Sequence, residues 1–418
     1  MTHRFESFIA CLILTAIQPQ AVVTMAATST PPEDSWPCHV IDDSSRGADG
    51  IRLADVNGDR LLDITTGWEE GGTVRVYLNP GPTKAKEKWP AVTVGHVGDV
   101  EDAVFVDLDG DGAVDVVSSC EGKTRTVFVH WAPKEHERYL DEKAWRTESL
   151  PASAKVMMWM FSLPLQIDGK HGVDLVAGGK GKDAAIGWFE APAQVRRLKD
   201  WKWHPLRPCS WLMSLVTRDM DGDGEMDIVF TDRKGNNTGA AWLENPGLGN
   251  AQTSPWREHA IGGAGWEVMF LELADLDRDG LEDVLVGVKP QEILWIRRLD
   301  RSGGAWELHS IRQPQNTGTA KGVNAADFDG DGKLDLVFSC EGAKPPLHGL
   351  MWLSCEGPYT AGKWLPHGLS GADGIKHDIV GVVDLNGDGR PDVITTEELA
   401  GRNHTGLGVI WYENSCRR

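Results

Sequence analysis

Apolar and polar residues along this chain fall into short bursts that recur. Runs such as AVFVDL, DVVSSC, DIVFTD, DVLVGV and DLVFSC are rich in β-branched residues and bounded by Gly, Pro, Asn or Asp. Brief apolar runs closed by turn residues predict buried strands, and no repeat contains a convincing helical period. Between one strand and the next, an acid-rich nonapeptide of the form D-x-[DN]-x-D-x-x-x-D appears six times, at residues 55–63, 107–115, 219–227, 275–283, 327–335 and 384–392. A seventh copy, QIDGKHGVD at residues 166–174, keeps the frame but loses most of the acids.

The seven copies recur about every 55 residues, the period of a repeat array rather than of separate domains. Each unit opens on a tryptophan (Trp36, Trp89, Trp145, Trp203, Trp256, Trp306, Trp364) followed by a short strand. A strand then leads into the acids and another leaves them. A last strand carries Tyr77, Trp131, Trp188, Trp242, Trp295, Trp352 or Trp411. Four strands in each of seven units predict an all-β, seven-bladed β-propeller. The repeat is out of phase with the blade, because its opening strand lies outermost in the preceding blade. The strand near residues 36–41 is therefore expected to complete the last blade and close the ring.

Within each nonapeptide, positions 1, 3, 5 and 9 present oxygen ligands. In the first copy these are Asp55, Asn57, Asp59 and Asp63, and in the second Asp107, Asp109, Asp111 and Asp115. The next two offer Asp219, Asp221, Asp223 and Asp227, then Asp275, Asp277, Asp279 and Asp283. The last two offer Asp327, Asp329, Asp331 and Asp335, then Asp384, Asn386, Asp388 and Asp392. An irregular, all-oxygen shell suits Ca2+ better than Mg2+, which demands an octahedron and retains its waters. Position 12 is not Glu and strands flank the loop, so an EF-hand is excluded. The expectation is about six structural calcium ions. None is expected in the degenerate copy, where Lys170 stands in for the cation. Arg60 replaces the turn glycine of the first copy and weakens that site.

These repeats resemble the FG-GAP/VCBS family, whose members include the integrin α-chain propeller, and the resemblance covers residues 36–416. It implies a rigid propeller that recognises proteins or glycans. The Trp-x-Glu-Asn-Pro and D-x-D-G-D-G elements are also similar to the propeller part of aldos-2-ulose dehydratases and to calcium-dependent propeller lyases. Gly-x-Ser-x-Gly, H-E-x-x-H and phosphate-loop motifs are absent from the sequence.

Because the acid loop joins the first two strands of a blade, the opposite mouth of the central channel is reached by counting away from it. Six residues before each copy stand Asp49, Glu101, Met160, Met213, Met269, Lys321 and Asp378. Fourteen beyond each first position stand Glu69, Glu121, Lys180, Arg233, Lys289, Glu341 and Glu398. Lys376 and His377 adjoin the charged side, and Trp159, Trp211 and Trp266 lie near the methionines. The expected ligand site is thus a funnel with a polar wall (Asp49, Glu69, Glu101, Glu121, Arg233, Lys321, Glu341, Lys376, His377, Asp378) facing an aromatic and methionine wall. Such a site suits a carbohydrate, whose hydroxyls carboxylates bind and whose ring faces indoles stack on, or a protein ligand. A binding module is the first reading. The alternative is a carbohydrate lyase or dehydratase, with His377 or Lys321 abstracting a proton and Glu101, Glu121 or Asp378 as acid or metal ligand.

Composition narrows the setting. A formal charge of −20 argues against a nucleic-acid partner, which calls for a basic stripe. His3 and Arg4 precede an apolar run at residues 8–17 and small residues at 25–27, the pattern of a secretory signal peptide. The expected organisation is a signal peptide over residues 1–27, a linker over 28–35 and a propeller over 36–416. The exported protein is expected to be monomeric, with no membrane span. Cleavage leaves six cysteines in a compartment that permits disulfides. Ring closure by the first strand suggests a Cys38–Cys416 bridge.

Overall fold

A computed structural model describes residues 23–25, 35–398 and 406–416. Seven antiparallel four-stranded sheets form the blades of a β-propeller. Blade 1 runs Ala48–Ala54, Asp63–Trp68, Thr73–Tyr77 and Ala91–Gly95 from the channel outward, and blades 2 to 6 repeat that order. Blade 7 takes His377–Val383, Asp392–Glu397 and Gly408–Tyr412 from the end of the chain and Cys38–Asp42 from near its start. The closing strand is the one expected, with His39 opposite Trp411. Among the described residues no helix is long and apolar enough to cross a membrane. The expected signal peptide lies outside the described residues, except that Val23–Met25 pair in parallel with Trp306–Arg312 on the outer edge of blade 5.

The ninth aspartate of each repeat fixes the blade locally. Asp63 is fully buried and accepts the N–H of Val56 at 3.0 Å and that of Asn79 at 2.8 Å, tying the acid loop to the end of the third strand. Asp115, Asp174, Asp227, Asp283 and Asp392 make the same double clamp in their own blades. Two otherwise orphaned donors are thereby satisfied by one carboxylate, which is what a buried loop junction requires.

The outer half of a blade is held by the histidine that the repeat contains as W-x-x-H, which packs on a tryptophan of the neighbouring third strand. In five blades the histidine of the fourth strand stacks on the third-strand tryptophan directly opposite, as in Trp242–His259 at 4.1 Å and Trp352–His367 at 3.9 Å. Trp188–His204, Trp295–His309 and His39–Trp411 complete the set. By this pattern the opening tryptophan of the fourth repeat is Trp201, buried with its Nε1–H on Val195 O at 2.9 Å, and not Trp203.

The Cys38–Cys416 bridge is not formed, and both thiols are free. Cys38 lies opposite Tyr412, while Cys416 is four residues further on, its carbonyl held by Arg390 at 3.1 Å and its side chain against the apolar contact between blades 6 and 7.

Candidate functional site

The acid loops lie on one face. In blades 2, 4, 5 and 6, three carboxylate oxygens of one loop fall within 4.8 Å of one another. In blades 1 and 7 the third position is an amide, and Asn57 and Asn386 donate to Asp59 at 3.1 Å and Asp388 at 3.2 Å. Asp335 is pushed up to about 8 by burial and by Asp329, Asp331 and Asp327. Burial likewise raises Asp115 to about 7, and Asp109 adds to the effect. Converging, partly buried carboxylates with no soft donor among them fit a hard cation. The ninth aspartate, expected simply as a fourth ligand, is first a backbone clamp, which leaves it less lone-pair capacity for an ion. Arg196 also reaches Asp109 and Asp111, Arg297 reaches Asp277 and Asp279, and Arg390 reaches Asp388, so protein cations already share three of these loops. In the degenerate copy Lys170 Nζ pairs with Asp168 at 2.8 Å and Gln252 donates to the same carboxylate at 3.0 Å.

The opposite mouth is built by a backbone irregularity that all seven blades share. The first strand slips register against the second between Asp49 and Arg52, Val100 and Asp102, Trp159 and Phe161, and Leu212 and Ser214. The same slip falls between Val268 and Leu271, Ala320 and Val323, and His377 and Val380. A bulge re-aims the side chains it inserts. Here the inserted residues include Glu101, Met160, Met213, Met269, Lys321 and Asp378, and Asp49 stands at the edge of the first bulge. Carbonyls released by the bulges are taken up by hydroxyls: Thr231 donates to Met269 O at 2.9 Å, Ser339 to Asp378 O at 2.6 Å and Thr395 to Ile379 O at 2.8 Å.

The result is a funnel of about 200 Å³. Its polar wall is Asp49, Glu69, Glu101, Glu121, Lys321, Glu341, Lys376, Asp378 and Glu398. Lys180, Arg233 and Trp211 continue the ring, and Met160, Phe161, Met213, Met269 and Phe270 form the apolar side. Phe161 and Phe270 meet edge to face at 6.2 Å and also border the smaller cavity deeper in the channel, so they are the floor.

Nearly every expected polar-wall residue meets here, with one exception. His377 is fully buried and absent from the wall, its ring packed against Gly349 and Gly374 with Nε2 3.4 Å from the Tyr412 hydroxyl. Successive strand residues face opposite ways, so Lys376 and Asp378 point into the funnel while His377 between them points into the blade. Burial, with Lys321 adding, lowers its imidazole to about 3 and keeps it neutral. Lys289, also reached by counting, turns from the cavity to pair with Glu341. The sequence reading missed the floor residues Phe161 and Phe270, which follow the bulge methionines directly.

Ion pairs between neighbouring blades belt the mouth. Lys180 binds Glu101 at 2.6 Å and also Glu121, Arg233 binds Glu267 at 2.6 Å, and Lys321 binds Asp378 at 2.6 Å and Glu398 at 2.9 Å. Lys376 also meets Glu398. Burial alone would raise Asp378, but Lys321 and a hydrogen bond from Asp49 outweigh it and hold the carboxylate at about 2. Asp49 keeps the shared proton, pushed well above the carboxylate range by burial and by Glu398 and Asp378. Burial opposes the charge on Lys321, yet Asp378, Glu398 and Asp49 raise it well above an ordinary lysine. A lysine so held does not accept a proton at neutral pH. Trp211 is likewise engaged, with Lys180, Arg233 and Lys234 at 4.8, 4.5 and 4.3 Å from its ring centre.

Seven blades of this topology, with acid loops on one face and a charged funnel on the other, define a β-propeller of the acid-loop type. A family model described as FG-GAP-like repeat matches residues 55–118 and 219–286, which hold the acid loops of blades 1, 2, 4 and 5, so these stretches are FG-GAP-like repeats within the propeller. No curated protein matches it. Among solved structures, an Agrocybe aegerita lectin recognising non-reducing terminal N-acetylglucosamine is 15% identical over 76% of this chain and 79% of its own, with a TM-score of 0.39. The K499G mutant of NanB sialidase from Streptococcus pneumoniae is 11% identical over 92% of this chain and 71% of its own, with a TM-score of 0.48. BBS1N in complex with ARL6DN is 11% identical over 91% and 97%, with a TM-score of 0.47. These likenesses are to other β-propellers and carry no argument about a ligand.

Proposed function

We propose that this protein is exported and serves as a calcium-stabilised recognition module that binds a carbohydrate in the funnel opposite the acid loops. The observation that carries the reading is the funnel itself: about 200 Å³, one wall of buried and half-buried carboxylates and lysines, the other of methionine and phenylalanine. Carboxylates and ammoniums together accept from and donate to hydroxyls, and the apolar side receives the C–H face of a sugar ring. The volume is below that of a drug-sized pocket and suits one ring of a glycan. Binding is favoured over turnover because the two bases named for a lyase are unsuited. His377 is walled off from the cavity, and Lys321 is held protonated between two carboxylates. Calcium on the other face is a reading supported by the oxygen-only donor sets, and export by the pattern of residues 1–27. The test is a glycan array probed with calcium-loaded protein and with Met213→Trp, which fills the funnel from its apolar side. Binding is expected for the former and its loss for the latter, with thermal melting showing that the variant folds. No binding to any glycan, or binding that Met213→Trp leaves unchanged, overturns the reading.

A further inference from the structure

The belt of ion pairs has one gap. Blade 1 contributes acids at both of its funnel positions, and neither Asp49 nor Glu69 forms an ion pair among the described residues. On the adjoining blade, carboxylate oxygens of Asp378 and Glu398 lie within 4.8 Å of one another and of Asp49. Four carboxyls therefore face two ammoniums, Lys321 and Lys376. Both lysines reach Glu398 through the same oxygen, Oε1. Glu398 is 1% exposed, yet among the described residues its Oε2 accepts no hydrogen bond. A buried carboxylate oxygen without a donor is costly, and its place in the cavity wall marks where a ligand's donor belongs.

We propose that a ligand ammonium fills this gap: the funnel takes a single-ring sugar bearing a protonated primary amine, seated on Asp49, Glu69 and Glu398 Oε2 with its ring on Met213, Met269 and Phe270. This rests on the carbohydrate reading above and names the sugar class. A divalent ion suits the cluster less well, because Lys321 Nζ already lies 2.6 Å from Asp378 and 2.9 Å from Glu398, where it repels a second strong charge. The degenerate acid loop solves the same problem with an ammonium, through Lys170 on Asp168. A primary ammonium adds three donors and one charge, matching an orphaned acceptor and a small surplus of acid.

Glu69 is raised to about 7 by burial and by Glu101, Glu70 and Glu398, with Lys376 opposing. Asp49 is raised by burial and by Glu398, Asp378 and Glu101, and Lys321 and Lys376 are the cations facing it. An arriving ammonium therefore displaces protons, and affinity for the charged amine rises from pH 5.5 to pH 7.

Calorimetry on the calcium-loaded full chain at pH 7 tests the inference with four probes: a 2-amino-2-deoxyhexose, its N-acetyl derivative, the neutral hexose and cyclohexylamine. The amino sugar is expected to bind about tenfold more tightly than either uncharged sugar. It should release protons, seen as a heat that depends on the buffer. Asp49→Asn and Glu69→Gln, shown folded by thermal melting, should each shrink the preference to threefold or less. Equal or tighter binding of the neutral hexose overturns the amine while leaving the carbohydrate reading intact, as does a preference that both variants retain. Cyclohexylamine matching the amino sugar keeps the ammonium seat and overturns the sugar. Failure of all four probes overturns both.

Discussion

Replacing Lys321 with methionine probes the electrostatics of the funnel directly. The side chain is 7% exposed and its ammonium lies 2.6 Å from Asp378 and 2.9 Å from Glu398. Asp378 alone is held at about 2 against an ordinary 3.8, a difference worth roughly 2 kcal/mol of folding stability at neutral pH. Removing one partner of a buried pair strands the other charge and costs about 3–5 kcal/mol, so Lys321→Met should lose that much at pH 8. The pH dependence follows from linkage. In the parent, the depressed Asp378 contributes stability that is present above 3.8 and lost as pH falls toward 2. In the variant, Asp378 stays buried without its closest cation and its folded-state value rises above the unfolded one, which costs stability at every pH above that range. The gap between the two proteins should therefore be smallest near pH 2, stand at roughly 2 kcal/mol by pH 4 and widen further from pH 5 toward neutral pH. Urea unfolding of both proteins in saturating calcium, from pH 5 to 8, measures it. A loss under about 1 kcal/mol at pH 8, or one that does not change with pH, would refute the buried-charge account.

Two further outcomes concern the opposite face. Chelation should lower the melting temperature, and titration of the stripped protein should recover about six ions; a melting temperature indifferent to chelator would remove calcium from the fold. Arg60 holds φ at +70° where the other five full copies place Gly112, Gly224, Gly280, Gly332 and Gly389 at +80° to +94°. Arg60→Gly should therefore stabilise the protein by about 1 kcal/mol in urea melts, and a neutral or destabilising result would show that the arginine side chain makes up for its backbone cost.

The nonapeptide served as a ruler because it is rigidly placed in its blade: the ninth aspartate clamps it at both ends, so a fixed count along a strand reaches a fixed height in the channel. That is why the sequence alone places Asp49, Glu101, Lys321 and Asp378 at the funnel mouth. The bulges were not legible, since a register slip depends on pairing between strands and leaves no mark in a single run of residues. They bring Phe161 and Phe270 into the floor. The misplacement of His377 has a different origin: proximity in sequence was read as proximity in space, whereas alternation sends it away from Lys376 and Asp378. The histidine of W-x-x-H is written in the chain five times, yet its stacking partner lies on the neighbouring strand, so the motif alone does not show the contact. The cysteine bridge failed because closing a ring brings strands together without aligning two particular thiols.

Closure of the ring by Cys38–Asp42 also places assembly and recognition under one event. Asp378 and Glu398 belong to the closing blade, and Lys321 to the blade before it. A nascent chain that has built six blades thus holds Lys321, Asp49 and Glu69 but has not locked them around a common centre. The funnel is finished when the early strand docks on Gly408–Tyr412. Ligand affinity is then a readout of whether the circle is complete.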